Sequence, residues 1–374
     1  MSQSVSSVRF MSVLSAALLA LPLIAAPYAA AQAVPNGYPA DYAKTIDAAK
    51  KEGKLVIYSS TDQASATPLL DDFKKEYPFA NVEYQDIGTS QLYSRFLAEA
   101  AAGSPSADLL WSSAMDLQVK LAADGYALTY ASPESKNFAP ENSYQNMAFG
   151  TTLEPAALIY NKRLVKAGDL PATHAAFAKL LSGGKLSGKL ATWDPEKSGV
   201  GFTLMEYDNQ SNKDFGAVSQ GLGKAQAGLY SSTGAMLEKV VSGEALYGYN
   251  IIGSYALLRQ QTVPDLGMKF WKDGTIAFQR VAFINKNAKA PNTAKLFLDY
   301  LLSRRGQLVM ANKALIYSLR SDVAGKATRT TLTQQVGGAA NLKIIAVDKR
   351  LLDNLVPATR NAFLDIWRKN VKGQ

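Results

Sequence analysis

Lys54-Leu-Val-Ile-Tyr-Ser-Ser-Thr61 runs directly into Asp62-Gln-Ala-Ser-Ala-Thr-Pro-Leu-Leu-Asp-Asp-Phe73. An apolar strand therefore ends in three consecutive hydroxyl residues, and a helix opens immediately after them. The strand delivers Ser59, Ser60 and Thr61 to a helix N-terminus, where backbone N–H groups lack intrahelical partners and the helix dipole is positive. Such a place suits an anion. Serine and threonine in front of a helix also serve as plain N-caps, so this one stretch leaves both readings open.

Working outward, the same grammar repeats. Strands are expected at Leu55–Tyr58, Val82–Ile87 and Asp108–Trp111, with helices at Thr67–Glu76, Ser90–Ala102 and Asp116–Asp124 between and after them. Short apolar strands separated by amphipathic helices predict an α/β sheet, and such sheets take ligands beyond the carboxyl ends of their strands. The strand at Asp108–Trp111 ends in Ser112-Ser113, a second hydroxyl pair in an equivalent place. Two such ends in successive units converge on one polar rim.

Phe149–Asn161 reads as a long extended segment crossing to a second lobe, whose Lys189–Trp193 strand leads into Asp194-Pro195 and then Ser198-Gly199-Val200-Gly201. Glycines there allow close backbone approach to a ligand, and a helix follows, which makes this the second anion candidate. It is not a P-loop, because no Gly-Lys-Ser/Thr follows at the required spacing. A strand at Ala245–Ile252 should bring Asn250, Ser254 and Tyr255 to the same cleft, and Arg320 offers a fork suited to carboxylate or phosphate. The expected lobes are 34–150 with 276–345, and 151–275, followed by a helical tail over 346–374 packed on both. The segment Val347–Lys369 reads as helical.

Composition narrows the function. The chain has 374 residues, no cysteine, one histidine and a formal charge of +9. Zinc-thiolate and cysteine-nucleophile chemistry are excluded. His174 lies far from every motif above, and no G-x-S-x-G occurs, so a serine hydrolase is disfavoured. The basic residues are scattered without aromatic interleaving, which argues against nucleic acid. Residues 1–33 carry Arg9, an apolar run from Met11 to Ala26 and small residues for cleavage at Ala29–Ala33. That run is shorter than the roughly 20 residues of a membrane span and reads as a cleaved signal peptide of an exported protein.

The KLVIYSST opening, Ala157-Leu-Ile-Tyr-Asn-Lys162, Asp194-Pro195 with Ser198-Gly199, Ser242-Gly-Glu-Ala-Leu-Tyr-Gly248 and Lys295-Leu-Phe-Leu-Asp-Tyr-Leu-Leu-Ser-Arg-Arg-Gly-Gln307 together resemble the extracellular solute-binding proteins of ABC transporters. The similarity is greatest to the branch that takes ferric iron and organophosphates. The resemblance implies a two-lobe type II periplasmic-binding-protein fold, with the solute clamped in the interlobe cleft. It also implies a monomer in the periplasm that docks on a membrane permease, with no cofactor and no catalysis. Iron binders of the branch typically present two adjacent tyrosines, whereas this chain has Gly253-Ser254-Tyr255 in the corresponding region. Hydroxyls and backbone amides suit carboxylate or phosphate oxygens better than a hard cation. The expected solute is therefore a small organic anion, with ferric iron through Tyr255 as the alternative.

Overall fold

The structure is a computed structural model, and it describes residues 1–3 and 34–374. The proposed signal peptide thus falls almost entirely outside the described residues. In chain order the strands are β1 (Lys54–Ser59), β2 (Asn81–Asp86), β3 (Leu109–Ser112), β4 (Ser143–Tyr144), β5 (Ala148–Gly150), β6 (Glu154–Asn161) and β7 (Leu190–Trp193). They continue with β8 (Gly228–Tyr230), β9 (Tyr247–Ile252), β10 (Leu266–Lys269), β11 (Thr275–Phe278), β12 (Val281–Ile284) and β13 (Leu342–Ile344).

Two sheets result. The first has the order β2-β1-β3-β12-β5-β4, the second β13-β11-β6-β9-β7-β8 with β10 also on β6. In the first, β1 lies parallel to β2 and β3, with Ser59 opposite Trp111. In the second, β7 is parallel to both β8 and β9. Parallel neighbours need helical crossovers, which is what the alternating sequence supplied. Leu55, Ile57, Leu109, Trp111, Phe73 and Phe297 pack together under the first sheet. Phe177, Trp193, Tyr249, Trp271 and Trp367 belong to the core of the second.

The chain passes between sheets at three places, between β5 and β6, between β11 and β12, and between β12 and β13, and the first two crossings lie side by side. They are stitched together: Thr151 N–H donates to the Arg280 carbonyl at 2.9 Å, and Arg280 N–H donates to Thr152 Oγ1 at 2.9 Å. A third segment joins them where Leu153 N–H donates to the Tyr317 carbonyl at 2.9 Å. The expected first-lobe span 276–345 needs adjustment here, because β11, which runs into it, and all of β13 sit in the second sheet. The run Gly274–Ile284 is extended almost throughout, so local pattern carries no mark of where it changes sheets.

The tail also departs from a single helix. Pro357 begins its own helix, Pro357–Trp367, after a short one at Arg350–Asp353. Proline lacks the N–H that a helix interior needs and fits the first turn instead. The short helix packs on Met115–Ala123 of the first lobe. Phe363 of the longer one packs on Phe202 and Phe215 of the second. No described helix is long and apolar enough to cross a membrane.

Candidate functional site

The β1–β3 register brings the two hydroxyl clusters together. Ser60 Oγ lies 3.1 Å from Ser113 Oγ, donates to Ser112 Oγ at 3.3 Å and accepts from Ser113 N–H at 3.0 Å. Ser59 turns inward: its hydroxyl donates to the Trp111 carbonyl at 2.9 Å and accepts from Thr61 N–H at 3.0 Å. It is fully buried and shapes the turn, so the expectation that it faces a solute gives way to a structural role. Next along the chain, Asp62 N–H donates to the Tyr255 hydroxyl at 3.0 Å, across from the second lobe.

Beneath this rim lies a charge pair. Arg280 and Glu154 are both fully buried, with Nε donating to Oε1 at 2.7 Å. Arg280 Nη1 reaches Thr61 Oγ1 at 3.0 Å and the Ser60 carbonyl at 3.4 Å, and the guanidinium lies 5.0 Å from the Tyr255 ring centre. Arg280 Nη2 and Glu154 Oε2 have no hydrogen-bond partner. Burial opposes the charge on Arg280, but the Tyr255 oxygen and the Glu154 carboxylate outweigh it and hold the guanidinium protonated. Burial pushes the Tyr255 phenol up, with Arg280 pulling the other way. Neither Arg280 nor its pairing stands out from the local sequence pattern. The available signal was one arginine inside the apolar run Thr275–Ile284, facing one glutamate in the other crossing segment.

In the second lobe, β7 ends at a turn that opens the helix Gly199–Ser211. Ser198 is its N-cap, accepting from Gly201 N–H at 3.2 Å. Gly199 N–H at 3.0 Å and Val200 N–H at 3.3 Å both donate to one oxygen, Thr89 Oγ1, which comes from the first lobe. Gly199 must be glycine for this approach, since a Cβ there would stand 2.9 Å from Ala114 Cβ and 3.0 Å from Leu117 Cδ1. Ala114 directly follows Ser113, so the two rims meet. A further bridge runs from Thr203 Oγ1 to Asp116 Oδ1 at 2.9 Å. Burial pushes the Asp116 carboxyl up to about 6, against the Thr203 hydrogen bond that lowers it. Beside this contact is a cavity of ≈ 360 Å³ lined in part by Ser90, Tyr93, Asp116, Ser198, Gly199 and Phe202.

Other expected contributors go elsewhere. Gly201 packs on its own strand, where a Cβ would lie 3.0 Å from Trp193 Cβ. Asn250, in a left-handed conformation (φ 55°), donates to Asp208 Oδ2 at 2.9 Å in the second-lobe interior, and its Oδ1 is unpartnered. Ser254 Oγ is buried and unpartnered one residue before Tyr255. Arg320 is spent internally. Its fork holds Asp322 at 2.7 Å through Nε and Nη2, and Nη1 donates to Glu134 at 2.7 Å, so it does not join the cleft residues. His174 accompanies Asp273 at 3.0 Å and packs on Trp271. Among the described residues no cluster of three or more His, Cys, Asp or Glu is arranged to hold a metal ion.

Comparison with known proteins agrees with this geometry. The family described as bacterial extracellular solute-binding protein matches residues 59–308. The substrate-binding protein of an ABC transporter from Agrobacterium tumefaciens is similar at 35% identity and a TM-score of 0.80, covering 85% of this chain and 94% of that one. AfuA of Actinobacillus pleuropneumoniae, a periplasmic binding protein solved with fructose-6-phosphate, has 21% identity and a TM-score of 0.69 over 86% of this chain and 99% of its own. Iron-bound HitA of Pseudomonas aeruginosa has 18% identity and a TM-score of 0.68, covering 84% and 98%. At those lower identities the likeness concerns the fold alone. No curated protein matches the chain. With two sheets, paired crossings and polar strand ends that meet across the gap, the chain belongs to the bacterial extracellular solute-binding proteins of ABC transporters.

Proposed function

We propose that this protein captures a small organic anion, carboxylate or phosphorylated, between its lobes in the periplasm and delivers it to an ABC permease. In this reading residues 1–33 are the signal peptide that exports it. The carrying observation is the convergence of Gly199 N–H and Val200 N–H on one oxygen offered from the opposite lobe. Those amides head a helix of 13 residues, so an anionic oxygen in the same place gains both hydrogen bonds and the favourable end of the dipole. The hydroxyls of Ser60, Ser112 and Ser113 supply further donors from the first lobe.

Ferric iron fits less well. Such a cation wants phenolate and carboxylate oxygens, and Tyr255 stands alone between Ser254 and Ala256. Its hydroxyl is engaged by Asp62 N–H, and burial raises its phenol further from ionisation.

Protein stripped of solute by unfolding and refolding tests the reading in thermal shift against sugar phosphates, phosphonates, dicarboxylates and ferric citrate. One anion class should stabilise it, by about 2.7 kcal/mol at a hundredfold excess over Kd. Replacing Ser113 by alanine should weaken that anion by roughly tenfold, the scale of one hydrogen bond to a charged group. Stabilisation by ferric citrate alone, or by nothing in the panel, would refute the proposal.

A further inference from the structure

We infer that Thr89 sets both the affinity and the charge selectivity of the cleft, because its hydroxyl oxygen occupies the place a solute oxygen must take. The inference rests on the reading of Gly199 and Val200 as the anion-binding amides.

Thr89 is the first residue of the helix Thr89–Ala101, which follows β2, and Gly88 is its N-cap. The Thr89 side chain makes no cap for its own helix. Its Oγ1 instead accepts from both Gly199 N–H and Val200 N–H, while the third amide of that turn, Gly201 N–H, is taken by Ser198 Oγ. Every free donor at this helix start is thus satisfied within the protein, two of the three by a residue of the other lobe. Thr89 is buried there at 7% exposure.

Two amides that share one oxygen leave no position for a second. A solute reaching them must expel the Thr89 hydroxyl, and its net gain is the difference between its own oxygen and that hydroxyl. A neutral alcohol exchanges like for like and gains little. An anion replaces a neutral acceptor by a charged one, whose hydrogen bonds are roughly twice as strong and which the helix dipole also favours. Thr89 therefore acts as a built-in competitor that neutral solutes cannot beat.

The remaining bridges do not depend on it. Tyr255 binds Asp62 N–H, and Thr203 binds Asp116, without using these amides. Removing the Thr89 hydroxyl should consequently free the anion position while leaving other interlobe contacts in place.

Titration calorimetry with inorganic phosphate on solute-stripped protein tests this with three chains: the natural one, Thr89→Val and Thr89→Ser. The valine variant keeps the shape and loses the oxygen. It should bind phosphate about three- to thirtyfold more tightly, the scale of one helix cap, and serine should restore the natural value. Equal or weaker phosphate binding by Thr89→Val overturns the inference and leaves the proposed function standing. No phosphate binding by any of the three at millimolar concentration also overturns the inference, while the anion reading falls only if the thermal-shift panel of organic anions fails with it.

Discussion

The two strand-end rims look alike in sequence and behave differently in the fold. Ser59-Ser60-Thr61 and Ser198-Gly199-Val200-Gly201 each carry a chain from an apolar strand into a helix. Each helix start also receives a hydroxyl from the opposite lobe: Tyr255 serves Asp62 N–H, and Thr89 serves Gly199 and Val200. The Tyr255 side is anchored, because its ring lies against Arg280 over a buried ion pair. The Thr89 side has its hydroxyl on a helix end, against a glycine that brings the backbones close, with the Thr203–Asp116 bridge further along that glycine's helix. In the proposed reading the Tyr255 contact is the fixed one and the Thr89 contact the exchangeable one. On that reading, a helix-start amide serves a solute only where its protein-made partner can leave.

The largest test breaks the fixed side. Arg280→Met strands the Glu154 carboxylate in a site with no exposure, which should cost about 3–5 kcal/mol of stability in urea unfolding. Adding Glu154→Gln should recover much of that, since the stranded charge is gone. A loss below about 1 kcal/mol for the single variant would mean that the pair does not hold the crossing segments.

The exchangeable side is sharpened by pH. Asp116, which bridges to Thr203 across the lobes, has its carboxyl raised from 3.8 to about 6. The folded protein then binds this proton more tightly than the unfolded chain. Its contribution therefore favours the folded state below the unfolded value of 3.8 and is lost as pH rises to about 6. Asp299, also pushed up to about 6 by burial, adds a second term of the same sign in the first lobe. Asp116→Asn should remove a decline on the order of 2–3 kcal/mol between pH 4 and 7, read as the change in urea midpoint. An unchanged pH profile in this variant would show that Asp116 is not dry in solution.

The smallest effect separates capping from binding. Ser198→Ala removes an N-cap and should lower stability by about 1 kcal/mol. Ser60→Ala removes a hydroxyl that pairs mainly with other hydroxyls, so it should change anion affinity more than stability. Identical stability losses for the two would erase the distinction drawn between the rims.

Much of the first lobe was legible. The alternation from Lys54 to Asp124 predicted strands and helices that appear within a few residues of their expected ends, and the β1 and β3 hydroxyls do share an edge. Arg320 was misread because an isolated arginine carries no mark of its partners; Asp322 and Glu134 claim it only after the chain folds back. Asn250 was placed at a strand end, but Asp208 draws it inward. Thr89 was passed over, since a threonine at a helix start reads as an ordinary cap.

By itself the sequence determined the period of its elements and the polar residues that end its strands, because side-chain alternation and helix starts depend on neighbours a few positions away. Only the tertiary structure decided which of those polar groups remain available. Glu154 meets Arg280 across 126 residues, and Thr89 meets Gly199 across 110. A buried donor or acceptor takes whichever partner the returning chain brings within reach, and nothing local encodes that choice.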